Sequence, residues 1–247
     1  MSEKAFQFKE FSIEQDRCAM KIGTDGVLLG AWASLEQQPD SILDIGTGTG
    51  LIALMLAQRS PALLIDALEI DEDAYEQAVE NFEQSNWGDR LFCYHAAFDE
   101  FVEEMQDEED KYELIISNPP FYEPPLTPPM SENSISSARQ NARFYDALPF
   151  SELIGGVSKL LHPQGEFNTI IPHKEETGFI ALASKFGLFP KQITRVRGTR
   201  SSEIKRSLLN FTFNKTSIEE SELIIEISRH NYTDAYKKLV KDFYLKL

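Results

Sequence analysis

Three short stretches carry residue types that could do chemistry. The first is Asp44-Ile45-Gly46-Thr47-Gly48-Thr49-Gly50. Glycines at alternate positions permit tight turning and close backbone approach, and a helix starting behind them presents unpaired N–H groups to a ligand. The dinucleotide fingerprint GxGxxG fails when read from Gly46, because Leu51 fills the third glycine slot. It survives from Gly48, as Gly48, Gly50 and Ala53, so a nicotinamide or flavin remains open at this point. The second stretch is Leu68-Glu69-Ile70-Asp71, with Glu69 lying 23 residues after Gly46. A carboxylate at that spacing can accept hydrogen bonds from both hydroxyls of a ribose, and Asp71 is the alternative holder. Together the two stretches point to an adenosine-containing ligand. The third is Asn118-Pro119-Pro120-Phe121. Its prolines stiffen the turn and cannot donate backbone hydrogen bonds. The Asn118 side-chain carbonyl and the Pro119 backbone carbonyl can then both accept from one planar –NH2 group. Phe121 offers a face for stacking, worth about 1–3 kcal/mol for a base. Two acceptors on one amine favour a more pyramidal nitrogen, whose lone pair can attack.

These stretches need a scaffold, and the hydrophobic pattern supplies one. Short apolar runs at 41–46, 64–70, 91–96, 112–117 and 165–171 read as strands. Helical patterns at 51–58, 72–85, 98–105 and 146–161 alternate with them, which predicts a parallel sheet covered on both faces. The tail changes style. Strand patterns at 189–197, 205–213 and 223–228 follow one another without helices, implying an antiparallel edge, and 234–244 reads as a closing helix. All three chemical stretches then fall at strand C-termini, where open α/β sheets bind ligands. The segment after Asn118 carries Pro119, Pro120, Pro124, Pro125, Pro128 and Pro129 before residue 146, and a loop of that length is expected to be functional.

The 247 residues are 42% hydrophobic and 26% charged, which fits one globular α/β domain and excludes disorder of the whole chain. No apolar run is long enough to span a bilayer, and the first residues lack the pattern of a secretory signal. Two cysteines, Cys18 and Cys93, make no disulfide framework, and no spacing suggests a metal. A reducing, cytoplasmic setting is expected. The net charge of −16 is uneven: residues 99–113 hold nine acids and one base, while 185–206 hold seven bases and one acid. Either run is ordinarily a solvated face, yet global charge does not exclude a local phosphate-binding patch. The four histidines, His95, His162, His173 and His230, are scattered and read as structural or surface residues.

The chain resembles class I S-adenosylmethionine-dependent methyltransferases, and Asn118–Phe121 resembles the (D/N/S)PP(Y/F) motif of those that methylate exocyclic amino nitrogens. A closer resemblance covers nearly the whole chain. Residues 11–32 (FSIEQDRCAMKIGTDGVLLGAW), the DIGTGTG turn, LIISNPPF and NYTDAYKKLVKDFYL are similar to the bacterial tRNA (adenine-N6)-methyltransferase family, which modifies the adenine 3′ of the anticodon in valine tRNA. The resemblance implies a Rossmann-like class I methyltransferase fold: a mostly parallel seven-stranded sheet with an antiparallel edge and helices on both faces. It implies one domain over 1–247, with 1–40 as a cofactor-capping extension. It places the methionine end of S-adenosylmethionine at Asp44, Gly46, Gly48 and Gly50, the ribose at Glu69, and the target base at Asn118, Pro119, Pro120 and Phe121. Lys21, Thr24 and Asp25 would cap the cofactor. Where the family usually carries an acid for the cofactor adenine, this chain has Ala97, so backbone groups near Ala97 and Phe98 are expected to hold it. The partner implied is tRNA, with no metal and no membrane, and a monomer is the expected state. Candidate RNA contacts are Arg139, Arg143, Arg195, Arg197, Arg200, Lys205 and Arg206. Relatives leave open a glutamine amide of release factors or guanine N2 of ribosomal RNA, and a non-catalytic binding module is the reading from another class.

Overall fold

The structure is a computed structural model that describes residues 5–108, 111–120 and 148–246. It opens with a small hairpin, β1 (Phe6–Gln7) and β2 (Ser12–Ile13), followed by α1 (Thr24–Trp32). Alternation then begins: β3 (Ser41–Ile45), α2 (Leu51–Arg59), β4 (Leu64–Glu69), α3 (Glu72–Glu83), β5 (Leu91–His95), α4 (Phe98–Met105) and β6 (Tyr112–Ser117). After residue 147 come α5 (Phe150–Leu160), β7 (Leu161–Pro172), a single 3-10 turn, and α6 (Glu176–Lys185). The chain ends with β8 (Phe189–Thr199), β9 (Ile204–Thr212), β10 (Glu219–Ser228), β11 (Asn231–Tyr232) and α7 (Asp234–Val240).

One sheet organises the molecule, in the order β11-β10-β8-β9-β7-β6-β3-β4-β5. The strands β3 to β7 are mutually parallel, as expected of βαβ units whose helices bury both faces. β9 runs antiparallel to both β7 and β8, which are its neighbours. Among the described residues the sheet has nine strands instead of seven, because β10 adds beside β8, in parallel, and the two-residue β11 folds back on β10. Two apolar layers result. One face packs α1, α2, α3 and α7, through residues such as Leu29, Met55, Phe82 and Val240. The other packs α4, α5 and α6, through Phe101, Ile154 and Phe179. Gly30 marks how closely α1 and α2 approach: a Cβ there would lie 2.8 Å from the Met55 sulfur.

The two ends of the described chain meet. Phe8 bridges Tyr244, the Lys9 N–H donates to the Phe243 carbonyl at 2.9 Å, and the rings of Phe6, Phe8, Phe11 and Tyr244 cluster. From there residues 14–17 run along α3. The Glu14 N–H donates to Asn81 Oδ1 at 2.9 Å, and Arg17 pairs with Glu76 and Glu80. Among the described residues no helix is long and apolar enough to cross a membrane.

Candidate functional site

The site forms where β3, β4 and β6 end. Asp44, the fourth residue of β3, is fully buried. Its Oδ2 accepts from the Thr47 hydroxyl at 2.6 Å, while its Oδ1 is buried with no hydrogen-bond partner. Burial pushes the Asp44 carboxyl up to about 7, the Thr47 hydroxyl and the Ala53 N–H at the start of α2 oppose this, and the nearby Glu69 charge adds to it. An unpartnered buried carboxylate oxygen is costly, so a cationic or hydrogen-bonding ligand group is the natural complement.

The turn above Asp44 is built from left-handed glycines. Gly46, Gly48 and Gly50 have φ of 70°, 58° and 80°. Their reasons differ. A Cβ on Gly46 or Gly48 would meet nothing within 4 Å, so both line open space. A Cβ on Gly50 would lie 2.5 Å from the Phe82 ring, so Gly50 serves the packing of α2 against α3. Two residues that the motif alone did not single out hold this turn. Thr47 orients Asp44, and Asn81 on α3 donates to the carbonyls of Thr49 and Glu14, both at 2.9 Å. Their signal in the sequence is weak: a threonine between glycines, and one polar residue at a buried helical position.

Glu69 closes β4 and leans over the same turn. Its Oε2 accepts from the Gly48 N–H at 2.8 Å, and its Oε1 accepts from the N–H groups of Ile70 and Asp71, each at 3.0 Å. Burial raises the Glu69 pKa, and these three amides oppose the rise. Asp71 instead caps α3, accepting from the Ala74 N–H at 2.9 Å. Beyond β5, Ala97 is the N-cap of α4 and supplies no side-chain cap. The Phe98 ring is buried against Gly156 in the core, so only the backbone of this pair is left to face a ligand.

Asn118 follows β6 directly. The strand end is fixed against β3 by the Ser117 hydroxyl, which donates to the Ile45 carbonyl at 2.9 Å. A Cβ on Gly26 of α1 would sit 4.0 Å from Asn118 Nδ2, so the start of α1 lies beside Asn118. Pro119 is buried and Pro120 exposed. Phe121, Arg139 and Arg143 lie outside the described residues. Thr24 is exposed at the first position of α1, and Lys21 Nζ donates to the Gln15 carbonyl at 2.5 Å. Asp25 is bound by Arg206, with Nε to Oδ2 at 2.8 Å.

The basic run is on the same side of the sheet as these motifs. Arg206 pairs in register with Pro172 at the carboxyl end of β7, and β8 carries Arg195 and Arg197 towards that end. Arg195 is held by Glu176 and Glu220, Arg197 by Glu222, and Lys205 by Glu203. Arg200 is exposed in the β8–β9 turn. His173 fits a structural role: its Nδ1 faces Glu176 at 3.1 Å and the Ser207 hydroxyl at 3.0 Å.

Comparison with known proteins adds four findings. The methyltransferase small domain family matches residues 25–143. A protein of Christiangramia forsetii named tRNA1(Val) (adenine(37)-N6)-methyltransferase is 67% identical over the full length of both chains. A Bacteroides fragilis protein of the same name is 46% identical, again over both full lengths. Among solved structures, a predicted O-methyltransferase from Agrobacterium tumefaciens superposes with a TM-score of 0.66 at 18% identity. That match covers 89% of this chain and 96% of that one, a likeness of fold.

Proposed function

We propose that this chain, which belongs to the tRNA1(Val) (adenine(37)-N6)-methyltransferase family, transfers a methyl group from S-adenosylmethionine to N6 of the adenine 3′ of the anticodon in valine tRNA. The observation that carries this reading is the position of Asn118 at the end of β6, one strand away from an open glycine cradle with a buried, half-satisfied carboxylate beneath it.

The residues fit the cofactor on their own chemistry. Asp44 Oδ1 is the orphaned acceptor for an ammonium or for a bridging N–H. Gly46 and Gly48 leave room for close approach, and Glu69 brings a carboxylate to the ribose position. S-adenosylmethionine supplies an electrophilic sulfonium methyl when bound. The chain's own part is positioning. The Asn118 side-chain carbonyl and the Pro119 carbonyl accept from the exocyclic amine, orient its lone pair in line, and exclude competing geometries. No strong base is needed, because the nitrogen becomes acidic once it is alkylated and gives its proton to water. The base must first leave its stack, as enzymes acting on a base inside a nucleic acid require. The ties of residues 14–17 to α3 beside Glu69, and of Asp25 to Arg206, support residues 1–40 as the segment that covers the cofactor. Ala97 and the Phe98 backbone at the start of α4 are the groups proposed for the cofactor adenine, with Lys21, Thr24 and Asp25 at the opposite wall.

The test is methyl transfer from labelled S-adenosylmethionine to unmodified total tRNA, with purified release factor in parallel and mass spectrometry of the digests. N6-methyladenosine in valine tRNA is expected. Label in a glutamine of the protein would overturn the substrate while keeping the cofactor site.

A further inference from the structure

The arginines at the carboxyl end of β8 are each held on two sides, and the two sides differ. Arg195 presents Nε and Nη2 to Glu176, at 3.0 and 2.6 Å. Glu176 is 8% exposed and also accepts from the Ser207 hydroxyl and faces His173, so this side is part of the protein interior. The other side of Arg195, Nη1, rests on Glu220 of β10 at 2.7 Å, and Glu220 is 54% exposed. Arg197 repeats the arrangement. Its Nη1 donates to the carbonyls of Arg200 and Ser202 in the β8–β9 turn, while Nη2 holds Glu222 at 2.6 Å, 41% exposed. The Arg197 Nε is buried without any hydrogen-bond partner, so this guanidinium is not fully satisfied by the carboxylate it has. In both pairs the inner contacts fix the guanidinium plane, and the outer contact is a solvent-facing carboxylate worth little in water.

Arg195 meets Glu220 through Nη1 alone and Arg197 meets Glu222 through Nη2 alone, so one phosphate oxygen can take the place of each carboxylate oxygen, and a phosphate brings more negative charge. We propose that Glu220 and Glu222 are built-in phosphate stand-ins: they hold Arg195 and Arg197 in the free protein and are displaced by backbone phosphates when RNA docks. The proposal rests on tRNA as the substrate and adds how the sheet edge receives it. It also gives the acids of β10 a use. An acidic protein with open arginines would take up any polyanion; exchange sets a threshold that only an RNA making contacts elsewhere at the site will pass.

Exchange has a signature in salt dependence. A phosphate that meets an arginine releases a counterion, but a displaced carboxylate takes one up, so each exchange contributes little to the salt slope. Removing the carboxylates leaves the release uncompensated, which steepens the slope by about 0.7–0.9 per arginine. The experiment measures binding of an unmodified valine tRNA transcript by fluorescence anisotropy across a salt series. The proteins are wild type, E220Q/E222Q and E219Q. Glu219 is exposed on the same strand and faces Gln192 in register, so E219Q changes charge without freeing an arginine. E220Q/E222Q is expected to bind about two- to thirtyfold more tightly at low salt, the range for two exposed pairs, with the steeper slope; E219Q keeps the wild-type slope. An unchanged slope in E220Q/E222Q, or the same change in E219Q, overturns the exchange. If the double variant melts early, E222Q alone should show half the change in slope. Methyl transfer by the wild type, assayed in parallel, separates the two claims. Transfer to tRNA with an unchanged slope refutes only the exchange, whereas neither transfer nor binding refutes the substrate and the exchange together.

Discussion

Substituting the three turn glycines one at a time should separate folding from cofactor binding. In Gly50→Ala the new methyl would lie 2.5 Å from the Phe82 ring with φ at 80°. The left-handed conformation costs about 1–2 kcal/mol for a non-glycine residue, and overpacking a buried contact adds about 1–3 kcal/mol. The sum, about 2–5 kcal/mol, lowers the melting temperature by roughly 4–20 °C for a chain of this size. Gly46→Ala and Gly48→Ala carry only the conformational cost, since a Cβ at either meets nothing within 4 Å. Their melting temperatures should fall by roughly 2–8 °C. The same methyl would project into the cradle, and a clash of about 1–3 kcal/mol there weakens S-adenosylmethionine by roughly 5- to 150-fold. Differential scanning calorimetry and isothermal titration calorimetry on the three variants read the two effects separately. Wild-type affinity in both Gly46→Ala and Gly48→Ala would refute the placement of the cofactor over this turn, whatever happened to stability.

Other outcomes follow from the site. Asn118→Ala should leave cofactor binding within a fewfold of wild type while single-turnover methyl transfer drops by orders of magnitude; near-normal transfer would remove Asn118 from the chemistry. The Asp44 carboxyl, at about 7 in the fold against about 4 in an unfolded chain, keeps its proton longer when folded. Stability of the free protein should therefore fall as pH rises from about 4 to 7 and level off above, and Asp44→Asn should remove that slope in urea titrations. If the cofactor ammonium needs ionised Asp44, affinity at pH 6 should be about tenfold below that at pH 8, and calorimetry at both values tests it. Tyr112→Phe removes from the buried Asp66 the hydroxyl that donates to its Oδ2 at 2.6 Å and leaves only the Tyr94 hydroxyl beside it, so stability should drop by about 1–3 kcal/mol with methyl transfer per folded molecule unchanged. Ala97→Asp should cap α4 for about 0.5–2 kcal/mol and, if the cofactor adenine lies there, tighten S-adenosylmethionine as well; a higher melting temperature without tighter binding would move the adenine elsewhere.

What was legible in the sequence was what is local. The glycine turn and Asn118 each follow a strand directly and Glu69 ends one, so apolar runs and turn chemistry place them without knowledge of pairing. The strands β3 to β7 could be counted and their parallel arrangement inferred from the intervening helices. The addition of β10 to β8 could not, because it depends on which edge remains open after β9 inserts between β7 and β8. Partners brought together by helix packing and strand register were equally hidden. Asp25 meets Arg206 across 181 residues, and Arg195 meets Glu176 across 19 and Glu220 across 25. Composition shows a basic run there; only the fold shows that most of its charge is already met.

That difference changes how the charge of the chain should be understood. Read along the sequence, 185–206 is a basic patch in an acidic protein, and its arginines appear available. In the fold, the same arginines stand beside a strand whose Glu220 and Glu222 answer two of them. The patch is thus nearly neutral in the free protein and becomes basic only when those carboxylates are displaced. A net charge of −16 and a polyanionic substrate are then compatible, because long-range repulsion acts on encounter while affinity is set by the few contacts that exchange. Among the described residues the exposed acids of α4, Asp99, Glu100, Glu103 and Glu104, face no arginine held as Arg195 and Arg197 are, and they are a source of repulsion. If RNA docks on this edge as proposed, α4 repels it and the β8–β9 turn, where Arg200 is exposed, receives it.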